Sequence, residues 1–76
     1  MINVDDIREH MEVIGADGGH VGTVDSVEGE RIKLTKTDRG AGGVHHYISV
    51  SLVEEIDAEA VRLSFTADLA PQFWET

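Results

Sequence analysis

The stretch MEVIGADGGHVGTVDSV, residues 11–27, decides how the chain is read. Two apolar runs flank ADGG, and Asp17-Gly18 supplies the positive backbone φ that a tight hairpin turn requires. In an extended strand, successive side chains point to opposite faces. Met11 and Val13 therefore share one face of the first strand, and Glu12 and Ile14 share the other. The second strand is less regular: Val21 and Val27 have one parity and Val24 the other. A bulge near Asp25 or Ser26 restores the pattern, and small curved sheets use such kinks to bend.

The same punctuation by glycine and aspartate continues along the chain. EGE at residues 28–30 marks a turn. RIKLTKT then alternates cleanly, with Ile32 and Leu34 inward and Arg31, Lys33 and Thr35 outward. DRGAGG, residues 38–43, is a loop, followed by a strand over VHHYISV, residues 44–50. A short connection leads to VEEID and then AEAVRLSF, in which Val61, Leu63 and Phe65 share a face. Asn3 is placed to cap one helical turn through VDDIREH, with Asp5 and Asp6 near its positive end. Thr66 is placed to cap a C-terminal helix, with Asp68 in its first turn; Pro71 keeps that helix short or irregular. The expected fold is all-β: a small antiparallel barrel of about six short strands with helical segments at the termini. Curling limits the exposed edges of such strands. One domain spans residues 1–76, with the barrel over 11–65 and a tail over 66–76.

Composition narrows the functions. Fifteen acidic against six basic residues give a net charge of −9, which repels phosphate backbones and anionic membranes. Direct nucleic-acid binding and membrane insertion are not expected. Arg31, Lys33 and Lys36 read as the wet face of a strand. Cysteine is absent and the mean hydropathy is −0.15, a globular composition without disulfides. The N-terminus shows no leader pattern, and no stretch approaches the roughly 20 apolar residues of a membrane helix, so a soluble cytoplasmic protein is expected. A chain this short buries only roughly 60% of its unfolded surface, which makes association into a homodimer an expectation from size alone.

His45 and His46 form the most chemical-looking pair in the chain. As strand neighbours they point to opposite faces and do not readily grip one ion. His46 falls with Val44, Ile48 and Val50 near the apolar side, and His45 with Tyr47 and Ser49. His10 precedes the first strand, and His20 faces its end across the hairpin. Without cysteine, a structural zinc site would rest on histidine and carboxylate alone. DRGAGGV lacks both the G-x-G-x-x-G spacing and the G-K-[ST] ending of phosphate-binding loops. Adjacent Glu54 and Glu55 diverge, and no serine stands in a nucleophile-elbow pattern. No catalytic residue, cofactor or metal site is assigned, and the chain is expected not to be an enzyme.

The C-terminal LAPQFWE carries Leu69, Phe73 and Trp74, with Leu69 and Phe73 on one face of a helix. They either fold back to cap the open end of the barrel or present a contact surface, since aromatic residues are enriched in interface hot spots. Tyr47 is a further, weaker member of that surface. The function expected is a protein-interaction or assembly module with an unidentified protein partner. The alternative is a small-ligand or metal-binding barrel using His45 or His46 with nearby carboxylates.

The succession MEVIGADGGHVGTVDSV, a strand pair, HHYISVSLVEEID and a closing AVRLS resembles the PRC-barrel superfamily over roughly residues 4–65. It is most similar to small bacterial single-domain members of a family of unknown function. Relatives show a glycine-marked hairpin at IGADGGHVGTVDSV. They often place an aromatic residue and then a proline in the later strand, where this chain has Ser49. The resemblance implies a small β-barrel adapter with no shared active site to carry over.

Overall fold

The computed structural model describes residues 4–36, 43, 45–57 and 59–75. The expected Asn3 cap, residues 38–42 of the loop and Val44 lie outside them. Six strands form: β1 Glu12–Ile14, β2 His20–Glu28, β3 Arg31–Leu34, β4 Tyr47–Ser49, β5 Val53–Ile56 and β6 Ala60–Leu63. They make one sheet in the order β4-β3-β2-β1-β6-β5.

Local sequence accounts for the hairpins. Gly18 holds φ at 84° in the β1–β2 turn, and Gly29 holds 63° in the β2–β3 turn. Both values lie in the left-handed region that glycine enters without steric cost. The register of β2 against β3 shifts between Val24 and Ser26. This is the bulge that the parity break in β2 calls for, and it lets Val24 and Val27 face the same core. A second register shift, where β1 passes from Gly22 to His20 and skips Val21, accommodates the burial of Val21. Alternation in β3 buries Ile32 and Leu34, and Ile32 stands directly opposite Ile48 of β4. Val13, Val24, Ile32, Ile48, Val61 and Leu63 are fully enclosed and form the centre of the core.

Three features differ from the sequence expectation. First, the sheet is mixed: β1 runs parallel to β6, with Val13 opposite Val61. Alternation specifies which face a residue takes, not the direction of its neighbour. Second, among the described residues no pairing joins β4 to β5, so the sheet is not closed into a barrel. It is nonetheless strongly curled. A flat six-stranded sheet puts its edges roughly 24 Å apart, at about 4.8 Å per spacing. Here the two edge strands are joined by the single 3-10 turn Val50–Leu52, and the four steps from Ser49 to Val53 reach roughly 14 Å at most. Val50 N–H donates to Glu30 O and Ser64 N–H to Leu52 O, which ties this turn to β-strand ends on both sides.

Third, β4 is shorter than VHHYISV. Leu34 N–H still donates to His46 O at 2.7 Å. The returning rung is replaced by a side chain: Leu34 O accepts from His45 Nδ1 at 2.9 Å. An imidazole thus ends the ladder, and both histidines precede β4 instead of lying within it.

Candidate functional site

The surface most unlike ordinary solvated β-structure is built where the C-terminal segment meets the sheet. Residues Ala67–Gln72 form a 3-10 helix containing Pro71, the short irregular form that proline permits. Thr66 occupies the N-cap position but does not cap through its side chain; its hydroxyl donates to the Asp68 carboxylate. The cap comes from 50 residues away. Asp17 Oδ1, in the β1–β2 turn, accepts from Ala67 N–H at 3.1 Å and from Gly19 N–H at 3.2 Å. These two bonds hold the Asp17 carboxyl below its ordinary pKa of 3.8, with the Ala67 contribution the larger. Ala16 N–H donates to Phe65 O at 2.8 Å, so the tail departs from a fixed point on the hairpin.

From there the tail presents one face inward and another outward. Ala70 is buried against the core, and Trp74 packs half-buried beside it. The indole of Trp74 stacks on His46, with ring centroids 4.1 Å apart and planes 22° apart. At the chain end, Tyr47 N–H donates to Glu75 O and Glu75 N–H to Tyr47 O, at 2.7 and 2.9 Å. This isolated bridge covers the outer edge of β4 at one residue. Arg31 completes it, with its guanidinium 5.0 Å from the Tyr47 ring centroid and 3.9 Å from the Glu75 carboxylate.

Leu69 and Phe73 face the other way. They retain 37% and 40% exposure, and Phe73 stacks on Phe65 with centroids 4.4 Å apart. The four residues singled out from the sequence therefore divide. Trp74 and Tyr47 fasten the tail to the sheet, while Leu69 and Phe73 form an outward apolar step. Of LAPQFWE, Ala70 and Trp74 fold back onto the core, and Leu69 and Phe73 stay exposed. The roles of Asp17, Arg31 and Glu75 in positioning this surface carry no signal in the sequence because their partners are remote.

The histidines are dispersed. His45 commits Nδ1 to a carbonyl, which can only accept, so Nδ1 carries the proton. His46 is engaged with Trp74. His20 Nδ1 meets Glu12 Oε2 at 2.9 Å on the hairpin surface, and His10 lies 3.8 Å from Glu9. Among the described residues, no group of three or more histidine or acidic side chains is placed to hold a metal ion. No helix among them is long and apolar enough to cross a membrane.

Fold and site together define a small, curled, mixed β-sheet domain with an aromatic C-terminal strap. The chain belongs to a family of uncharacterized proteins conserved in bacteria, DUF2171, whose pattern matches residues 7–71. No curated protein matches it.

Proposed function

We propose that this chain is a non-catalytic protein-interaction or assembly module of the cytoplasm, related to the PRC-barrel domains and acting as a homodimer. The observation that carries the reading is the outward step of Leu69 and Phe73 on an otherwise acidic molecule. A chain of net charge −9 repels its own copies at most orientations. An uncharged apolar patch is the one kind of surface on which two copies can meet without adding to that repulsion. The patch is also pre-ordered, because Phe65, Ala70 and Trp74 hold the tail from beneath, and ordering before contact lowers the entropic cost of association. The tight Val50–Leu52 link between the two edge strands supports the kinship with closed barrels. The histidine-ligand alternative has less behind it, since His45 already bonds Leu34 O and His46 stacks on Trp74.

Light scattering on the wild type and on a Leu69→Ser/Phe73→Ser variant tests this. The wild type is expected at twice the chain mass, and the variant at the monomer mass with an unchanged circular-dichroism spectrum. A monomeric wild type across the micromolar range rejects the dimer.

A further inference from the structure

The parallel pairing of β1 and β6 opens a cleft that a hairpin does not. In a hairpin, the turn fills the space at the strand ends. β1 and β6 are entered at Glu12 and Ala60 by separate stretches of chain. Between them is a cavity of about 300 Å³ lined by Asp6, Arg8, Met11, Ile56 and Asp57, at the lower end of the size range of small-molecule sites.

The floor is apolar and fixed. Met11 is 8% exposed and belongs to the core, and Ile56 packs against that core. The backbone N–H of Arg8 contacts Met11 Sδ at 3.1 Å, which locates the thioether. The rim is charged. Asp57 is held in place because its Oδ1 accepts from Glu59 N–H and Ala60 N–H at 3.0 and 2.8 Å. Asp6 and Arg8 line the same cavity, and among the described residues neither forms an ion pair.

Two carboxylates and one guanidinium around a thioether and a branched alkyl group make a specific chemical complement. The guanidinium matches a carboxylate, the two aspartates match ammonium groups, and the floor matches an alkyl chain. We propose that this cavity binds a free basic α-amino acid, its carboxylate on Arg8, its ammonium groups on Asp6 and Asp57, and its methylene stem on Met11 and Ile56. A ligand with two positive charges and one negative neutralises the rim, which carries one net negative charge. A bare diamine leaves Arg8 facing cations. A neutral aliphatic amino acid leaves one aspartate unmatched. A phosphate ester meets two carboxylates.

The test is a titration of the full chain followed by backbone amide shifts in heteronuclear NMR, at constant ionic strength, with L-lysine, L-leucine and cadaverine in parallel. L-lysine is expected to shift Arg8, Met11, Ile56 and Asp57 saturably, with a Kd on the order of 1 mM. L-leucine and cadaverine are expected to bind at least about tenfold more weakly. Arg8→Gln is expected to remove the preference for lysine over cadaverine, and Asp6→Asn the preference for lysine over leucine. Both residues are exposed, and the amide spectrum of each variant reports directly whether it is folded. Absence of saturable shifts at these positions overturns the proposal. So does cadaverine binding as tightly as lysine and unchanged in Arg8→Gln, which is cation condensation on an acidic surface. Leucine binding as tightly as lysine rejects the basic class. The outcome is independent of the oligomeric state.

Discussion

At the scale of single residues, Asp17 joins two distant parts of the chain. One oxygen closes its own hairpin through Gly19 N–H and caps the tail through Ala67 N–H. Both bonds favour the ionised form, so the folded pKa lies below the ordinary 3.8, which is also its reference in the unfolded chain. A depressed folded pKa contributes stability that is complete above the unfolded value and lost as pH falls through the folded one. Asp17→Asn keeps an acceptor oxygen but not the charge. Urea midpoints measured at stepped pH should show the wild type more stable at neutral pH. The gap to the variant should narrow progressively below about pH 3.8. A gap that stays constant through that range shows that the Asp17 charge contributes nothing. Asp57, held below its ordinary value by Glu59 N–H and then Ala60 N–H, acts in the same direction and leaves the variant some remaining acid sensitivity. The turn role of Asp17-Gly18 was legible in the sequence, since it depends on adjacent residues alone. The capping role was not, because it joins positions 50 residues apart.

At the scale of elements, alternation located what depends on one strand, and failed where two strands must meet. The β2 bulge at Val24–Ser26 was legible because Val24 and Val27, of opposite parity, cannot face one core without it, whereas the second shift beside Val21 was not. The inward set of β3 was legible because its alternation is unbroken. The parallel β1–β6 pair, the cavity at its entry and the truncation of β4 were not, since each depends on which strand is the neighbour. The contact between the β1–β2 turn and the tail can be tested at Gly15. A Cβ there would strike the Ala67 backbone nitrogen and stand 2.8 Å from the Thr66 carbonyl carbon. Backbone atoms cannot swing aside as a flexible side chain does, so the turn and tail must separate. Gly15→Ala should cost about 1–3 kcal/mol, a large share of the stability of so small a domain, and lower Tm by roughly 4–8 °C per kcal/mol. Gly18→Ala is the control. Its φ is 84° but no atom lies within 4 Å of an added Cβ, so it incurs only the left-handed conformational cost of about 1 kcal/mol. Thermal melts that rank Gly18→Ala as the worse of the two would show that the turn–tail contact does not hold the tail.

At the scale of the whole molecule, charge opposes the compact state that the core favours. Fifteen acidic groups and six basic ones occupy a body whose longest dimension is 31 Å. The Debye length is about 30 Å at 0.01 M salt and about 10 Å at 0.1 M. At the lower concentration each charge therefore acts across the whole molecule, and at the higher one only on its neighbours. Against this repulsion stand exposed pairs such as Lys33–Glu28 at 3.8 Å and Arg31–Glu75 at 3.9 Å, each worth about 0–1 kcal/mol and weakened by the same salt. The excess of nine negative charges outweighs them, so screening should stabilise the fold. Thermal unfolding in sodium chloride is expected to give a Tm that rises by several degrees, with most of the rise complete by about 0.1 M. That saturation separates screening from the effect of salts excluded from the surface, which grows with concentration well beyond that point. A Tm that falls over the same interval would mean that the ion pairs outweigh the net charge. The acidity would then be organised into stabilising contacts instead of opposing the fold.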